Sequence, residues 1–97
     1  MNTYVILRRD GWKSPEELQA AAERSTKAGD DMPDDIAWIR SYVLEENSGG
    51  VGTVCIYQAS SPEKIREHAS MADLPVDDII PVADTVVVRP DPEPAPA

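Results

Sequence analysis

The amino-acid sequence predicts a single α+β domain in which two helices cover one face of an antiparallel sheet. Apolar, β-rich segments alternate with helical ones in the order β-α-β-β-α-β, and the helix-start motif Ser-Pro-Glu occurs twice, at Ser14 and at Ser61. Two such βαβ-like halves are the split arrangement of a ferredoxin-like domain. The 97 residues are enough for one domain of this kind with one modest core.

The first half of the pattern begins with a β-rich segment. Strand 1 is predicted over residues 3–9, "TYVILRR", which is rich in residues that favour strands. Helix 1 follows at the first Ser-Pro-Glu motif, with Ser14 as the N-cap, Pro15 at the first helical position and Glu17 as the partner in a capping box. Small and apolar residues then recur at helical spacing up to Gly29, which is the predicted C-terminal stop.

A hairpin and a second helix–strand unit complete the domain. Strand 2 is predicted over residues 36–46 and strand 3 over residues 53–59, joined by the glycine-rich loop 47–52. Helix 2 extends from Ser61 to about Ala72, and strand 4 is predicted over residues 79–89. The ferredoxin-like domain is therefore assigned to residues 1–89. The proline-rich residues 90–97 are predicted to be a disordered tail, because they have little apolar surface to bury.

The predicted strands carry apolar residues on both faces. Strict alternation along strand 2 assigns Trp38 and Tyr42 to one face and Ile39 and Val43 to the other. Two helices cover only one face of a sheet, and a solvated face would alternate more cleanly between apolar and polar residues. The second apolar face therefore predicts a homodimer in which the sheets of two subunits pack face to face.

The composition limits the function. The formal net charge is −9 at pH 7, which argues against nucleic acid or a membrane as a partner, because both attract clusters of Lys and Arg. A single cysteine cannot form an intrachain disulfide, the N-terminus lacks the apolar core of a signal peptide, and no segment approaches membrane-spanning length. The chain is therefore predicted to be cytoplasmic.

The only cysteine, Cys55, and the only histidine, His68, lie on adjacent predicted elements. His68 falls on the apolar stripe of helix 2, and Cys55 lies on the strand before that helix. Each residue alone is more often an ordinary core residue. A thiolate and an imidazole together suit nickel, zinc or copper, so Cys55 and His68 are the candidate metal ligands. Two ligands are fewer than the four of a closed site, and carboxylates, tyrosines, water or a dimer mate would have to supply the others.

Other uses of these residues are open. Tyr42, Tyr57, Trp38 and Trp12 could line a pocket for an aromatic ligand, although scattered aromatic residues more often belong to a core or an interface. A small-ligand site or vestigial enzyme pocket would be lined by Tyr42, Tyr57 and His68. A Cys–His pair can also act as nucleophile and base, but the sequence offers no evident oxyanion-hole loop or orienting third residue. Catalysis is therefore the weaker expectation. A module that only contacts other proteins would need no ligand at all.

An ordered set of motifs resembles the small nickel-binding ferredoxin-like proteins, a family formerly catalogued as a domain of unknown function. The motifs are Arg9–Leu18, Trp38–Val43, Cys55–Ala59, Ser61–Ala69 and Leu74–Ile79, and the resemblance extends over about residues 3–88. It implies a homodimer of ferredoxin-like subunits that binds nickel and has no established catalytic activity. Cys55, Tyr57 and His68 match the characteristic polar residues of the family, and Tyr42 joins them from strand 2.

These observations together predict a non-catalytic metal-binding protein, with nickel as the metal, that acts in sequestration or sensing. The alternative is a small-ligand pocket or a vestigial enzyme of the dimeric α+β barrel type. Tyr42 and Tyr57 are then the ligand-binding residues, as Cys55 and His68 are the metal ligands in the first hypothesis.

Overall fold

The computed structural model describes residues 1–93 of the chain. In chain order its elements are strand β1 (Asn2–Trp12), helix α1 (Pro15–Asp30), strand β2 (Ile36–Glu45), strand β3 (Val51–Ala59), helix α2 (Pro62–Ala72) and strand β4 (Asp78–Pro81). The strands form one antiparallel sheet in the order β2-β3-β1-β4. The predicted α+β class and the β-α-β-β-α-β ferredoxin-like order are confirmed.

The N-terminus of α1 has the structure that the Ser-Pro-Glu motif predicts. The backbone N–H of Glu17 donates a hydrogen bond to Ser14 Oγ at 3.3 Å, and Pro15 occupies the first turn, where its missing N–H costs nothing. The carboxylate of Glu17 accepts a hydrogen bond from the backbone N–H of Lys13 at 2.7 Å. Ser61 caps α2 in the same way. Both helix starts are therefore fixed by local sequence.

Of the two predicted helix C-termini, one differs from the structure and one agrees with it. Helix α1 does not end at Gly29 but continues to Asp30. Helix α2 ends at Ala72 as predicted, and the following residue, Asp73, adopts a left-handed backbone conformation with φ 54°. In residues 1–93 neither helix is both long enough and apolar enough to cross a membrane.

Strand β4 is much shorter than the predicted 79–89, with only four residues. It runs antiparallel to β1, and Pro81 already pairs with Tyr4. One more hydrogen bond, from the backbone N–H of Val82 to Thr3 O at 2.9 Å, continues the pairing. Beyond Val82 the chain makes no further pairing with β1 among the described residues, and the apolar run at residues 86–88 is not part of the sheet.

The two helices cover one face of the sheet, which we call the helix-covered face, and its side chains form the core. Alternate residues of β1 and β3 project toward it and are at most 4% exposed; they are Tyr4, Ile6, Arg8, Cys55 and Tyr57. Ile65 and His68 are the largest of the buried side chains that α2 adds. This core therefore includes one arginine and one histidine.

The opposite side of the sheet, which we call the open face, carries no helix. Half-buried apolar residues from its two central strands project toward it; they are Val5, Leu7, Val54 and Ile56. Asp91 lies against this face at β2, where its carboxylate accepts hydrogen bonds from Arg40 Nη1 and Tyr42 Oη, both at 2.8 Å. Of the tail predicted to be disordered, residues 94–97 lie outside the described residues. The tail's disorder and the homodimer stay predictions.

A β-bulge in β2 changes which of its residues share a face. Trp38 pairs with Tyr57, whereas Arg40 pairs with the residue of β3 immediately before Tyr57, so Ile39 is an extra residue between them. Such a bulge shifts the alternation of side chains by one position. Trp38 therefore lies on the helix-covered face and Tyr42 on the open face. The prediction that these two residues share a face is wrong, because it assumes an unbroken strand.

Candidate functional site

A cavity of about 360 Å³ lies between α1 and the helix-covered face. Apolar side chains form much of its lining, including those of Trp12, Leu18, Trp38 and Leu74. Polar residues from α1 and three strands also line it; they are Arg8, Ser25, Arg40, Ser41, Thr53, Cys55 and Tyr57. An apolar hollow of this size with a few converging polar groups is the usual form of a small-molecule site.

Two hydroxyl groups form a buried hydrogen bond at this cavity. Tyr57 Oη lies 3.0 Å from Ser25 Oγ, so β3 and α1 are joined by a polar contact inside the core. Burial raises the pKa of Tyr57, while the hydrogen bond with Ser25 and the nearby charge of Arg8 act in the opposite direction. The phenol is therefore neutral at physiological pH and can both donate and accept a hydrogen bond.

Arg8 is a buried cation beside these hydroxyls. It is only 1% exposed, and its Nη1 donates a hydrogen bond to the backbone oxygen of Pro75 at 2.7 Å. Its Nη2 is buried and has no hydrogen-bond partner among residues 1–93. Sequence reasoning did not select Arg8. The alternation along β1 nevertheless indicates that Arg8 faces the core, because Arg8 follows Tyr4 and Ile6 at two-residue spacing.

His68 is held in one orientation by helix α1. Its Nε2 lies 2.9 Å from the backbone oxygen of Ser25, and because a carbonyl oxygen only accepts, Nε2 carries the hydrogen. Nδ1 then has the lone pair, and this buried atom has no hydrogen-bond partner among residues 1–93. The ring also meets Tyr57 edge-on, with centroids 5.6 Å apart. Burial lowers the pKa of His68, the hydrogen bond with Ser25 opposes that shift, and the charge of Arg8 adds to it.

This environment predicts that acid destabilises the fold through His68. The unfolded chain takes up the proton near pH 6.5, whereas the folded chain does so only at lower pH. The free energy of unfolding is therefore at its full value above about pH 6.5 and decreases as the pH falls toward the folded-state pKa. Urea unfolding of the parent and of His68→Gln, compared from roughly pH 7.5 down to pH 5, measures this loss. A folded variant with the same pH dependence as the parent would contradict the prediction.

The structure brings together only some of the residues that the sequence selects. Tyr57 and His68 are in contact, as described above. Cys55 lines the cavity and its thiol lies 3.3 Å from Thr53 Oγ1, whereas His68 lines a separate hollow that also includes Asp30. Tyr42 lies on the open face, on the other side of the sheet from Tyr57. That Cys55 and His68 share a metal ion stays a prediction.

The described part of the chain, residues 1–93, shows no cluster of nickel ligands. No group of three or more His, Cys, Asp or Glu side chains within residues 1–93 lies close enough together to hold a metal ion. His68 alone has the arrangement of a metal ligand, since ligating histidines commonly donate their second N–H to a carbonyl or carboxylate. The thiol of Cys55 is engaged with Thr53. Any nickel site therefore needs ligands beyond these two residues.

A four-stranded antiparallel sheet with two helices on one face, in this order of elements, defines a ferredoxin-like α+β domain. A family model described as "Nickel responsive protein SCO4226-like" matches residues 4–82. The chain belongs to the SCO4226-like family, and the resemblance inferred from its sequence motifs is confirmed.

A solved structure of similar fold is that of SCO4226 from Streptomyces coelicolor A3(2). The TM-score is 0.68 at 14% sequence identity, and the alignment covers 87% of this chain and 99% of that one. At this identity the likeness shows the fold alone. Comparison with curated proteins finds no match.

Proposed function

We propose that this chain is a non-catalytic nickel-binding protein that acts in nickel sequestration or sensing. Its membership of a family described as nickel responsive is the observation that carries the proposal. The structure adds one supporting feature, which is the unpartnered lone pair of His68 Nδ1 with Nε2 fixed by the Ser25 carbonyl. Imidazole nitrogen and thiolate sulfur are both ligands that nickel accepts.

In this proposal His68 is the principal ligand and Cys55 a second one, with water or a second copy of the chain supplying the rest. Tyr57 contacts His68 and lies two residues from Cys55 on β3, so it connects the two proposed ligands. Metal binding requires a neutral imidazole and a thiolate, so nickel affinity is expected to decrease as the pH falls.

Calorimetric titration with nickel tests these roles, using protein without a histidine tag. We expect His68→Ala to weaken nickel binding by roughly tenfold or more and Cys55→Ser to weaken it less, because the loss even of a residue that supports a ligand commonly costs that much. Glu67→Gln is the matched control, since Glu67 is exposed on the same helix and its substitution affects only an exposed ion pair with Lys64. Binding at parental strength by both folded ligand variants would place the metal elsewhere. No binding by the parent would refute the function.

We also propose that two copies associate through their open faces. The half-buried apolar residues of β1 and β3 on that face support this, because no helix covers them. Light scattering should give twice the chain mass of 10.6 kDa. Val54→Lys should produce a monomer, because it puts a charge in the middle of the open face, and Met71→Lys on α2 should not. A parent with the mass of one chain at micromolar concentration would refute this association.

A further inference from the structure

We propose that the cavity beneath α1 binds a small aromatic carboxylate, with the guanidinium of Arg8 as its anion anchor. This site goes beyond the proposed nickel function. Its anion anchor, Arg8, lines the cavity and not the hollow of His68, although Ser25 and Trp38 line both and Cys55 lines the cavity. The two functions are therefore separated by testing metal-free protein.

The first argument is the unsatisfied charge of Arg8. A buried guanidinium ordinarily pairs with a carboxylate, because an unpaired buried charge is costly. Arg8 is 1% exposed and none of the salt bridges among residues 1–93 includes it. Within the described part of the chain its side chain donates to the Pro75 backbone oxygen through Nη1, and both hydrogens of Nη2 are without an acceptor there. An anionic ligand would supply the missing partner.

The second argument is the charge of the cavity lining. The chain has 18 acidic residues against nine basic ones, yet no Asp or Glu is among the residues that line the cavity. An anion entering the cavity therefore meets Arg8 and the hydroxyls of Ser25 and Tyr57. The second lining cation, Arg40, already pairs with the carboxylate of Asp91, which leaves Arg8 as the unpaired charge. A guanidinium N–H pair is well suited to the two oxygens of a carboxylate.

The third argument concerns the rest of the ligand. Trp12, Leu18 and Trp38 give the cavity wide apolar walls, and its volume of about 360 Å³ admits a single small molecule. Flat aromatic rings pack favourably against tryptophan. A carboxylate attached directly to an aromatic ring fits both halves of the lining, whereas a free inorganic anion would leave the apolar half unfilled.

Binding of benzoate to metal-free protein, prepared with a chelator, tests the proposal independently of nickel. Trp12 and Trp38 both line the cavity, so tryptophan fluorescence and the amide NMR shifts of β1 and β3 report occupancy. We expect saturable benzoate binding, and binding of the neutral benzamide at least roughly tenfold weaker, because it lacks the charge that pairs with Arg8. Equal binding of benzoate and benzamide, or no saturable binding of benzoate, would overturn the proposal. Phosphate binding as tight as benzoate would overturn the aromatic part of it.

Arg8→Met removes the charge while keeping a long apolar side chain. This variant should lose benzoate binding by tenfold or more. Without ligand it should unfold about as easily as the parent, because removal of an unpaired buried charge offsets the loss of the hydrogen bond to the Pro75 oxygen. Arg66→Met, at an exposed position of α2, is the matched control and should bind as the parent does.

Leu18→Trp provides a test that leaves Arg8 intact. Leu18 lies on the cavity wall and is only half-buried, so a larger ring there fills the space without breaking the core. This variant should also lose benzoate binding. Parental binding by folded Leu18→Trp would place the ligand outside the cavity, and that result decides the question even where Arg8→Met does not fold.

Discussion

Replacing Ile65 with alanine is expected to lower the free energy of unfolding by about 2–5 kcal/mol, the range typical for the truncation of a buried isoleucine. Ile65 is completely buried and projects from α2 into the cluster that also contains Ile6 and Tyr57. The methyl groups lost would leave a void that the sheet cannot fill, because its strands are fixed by their pairing. Domains of this size have total stabilities of about 5–15 kcal/mol, so this loss would be a large fraction of the whole.

Two variants on the same helix calibrate this expectation. Ile65→Val removes one methylene and should cost about 0.5–1.5 kcal/mol. Met71→Ala, at a half-exposed position, should change stability by no more than about 0.5 kcal/mol. Urea denaturation followed by circular dichroism, at one protein concentration for all variants, gives the three values. A loss for Ile65→Ala no larger than that for Met71→Ala would show that α2 does not pack on the sheet as described.

The second large effect is expected at Gly52 in β3. A Cβ atom there would lie 2.6 Å from the backbone oxygen of Arg8 and 3.2 Å from both Arg9 Cα and Asp10 N. All three are backbone atoms, and the strand they belong to is held in place, since the Glu46 carboxylate accepts a hydrogen bond from Asp10 N at 3.1 Å. The clash cannot be relieved by a side-chain rotation. Gly52→Ala should therefore cost about 1–3 kcal/mol, as overpacking of a tight site does.

Gly29→Ala is the matched control for this substitution. A Cβ at Gly29 would contact only His68 Nε2, at the ordinary distance of 3.8 Å. Because alanine favours a helix more than glycine does, this variant should be as stable as the parent or up to about 1 kcal/mol more stable. The difference between the two midpoints of thermal unfolding measures the effect. Equal midpoints would mean that β1 and β3 are less closely apposed at Gly52 than the structure shows.

The parts of the fold that could be predicted are those encoded by neighbouring residues. Ser14 and Ser61 identify both helix starts because a cap acts within one turn. The bulge at Ile39 could not be predicted in this way, since it exists only relative to the partner strand β3. The length of β4 could not be predicted for a similar reason, because it depends on how far the partner strand β1 extends and not on the apolar residues of β4 itself.

In the candidate site, too, features set by local sequence could be predicted and features set by contacts between elements could not. The apolar stripe of α2 correctly predicts that His68 faces the sheet, and Cys55 lies on that same side. Whether Cys55 and His68 line the same hollow depends on where the helices lie on the sheet, which the sequence does not indicate. In the structure His68 contacts Tyr57, and Tyr57 is hydrogen-bonded to Ser25 of α1. Arg8 was missed because arginine is ordinarily a surface residue. Its position in the alternation of β1 was the stronger indicator.

The bulge at Ile39 also has a consequence for comparing this chain with distant relatives. If a relative has a regular β2, the two sequences stay in phase up to Trp38 and are one position out of phase afterwards unless the alignment contains a gap opposite Ile39. An ungapped alignment would then equate Tyr42, which faces away from the helices, with a residue that faces them. At an identity of 14% too few matching residues are available to reveal such a slip. Superposition of strands, and not the counting of residues, is therefore the sound way to transfer site residues along this strand.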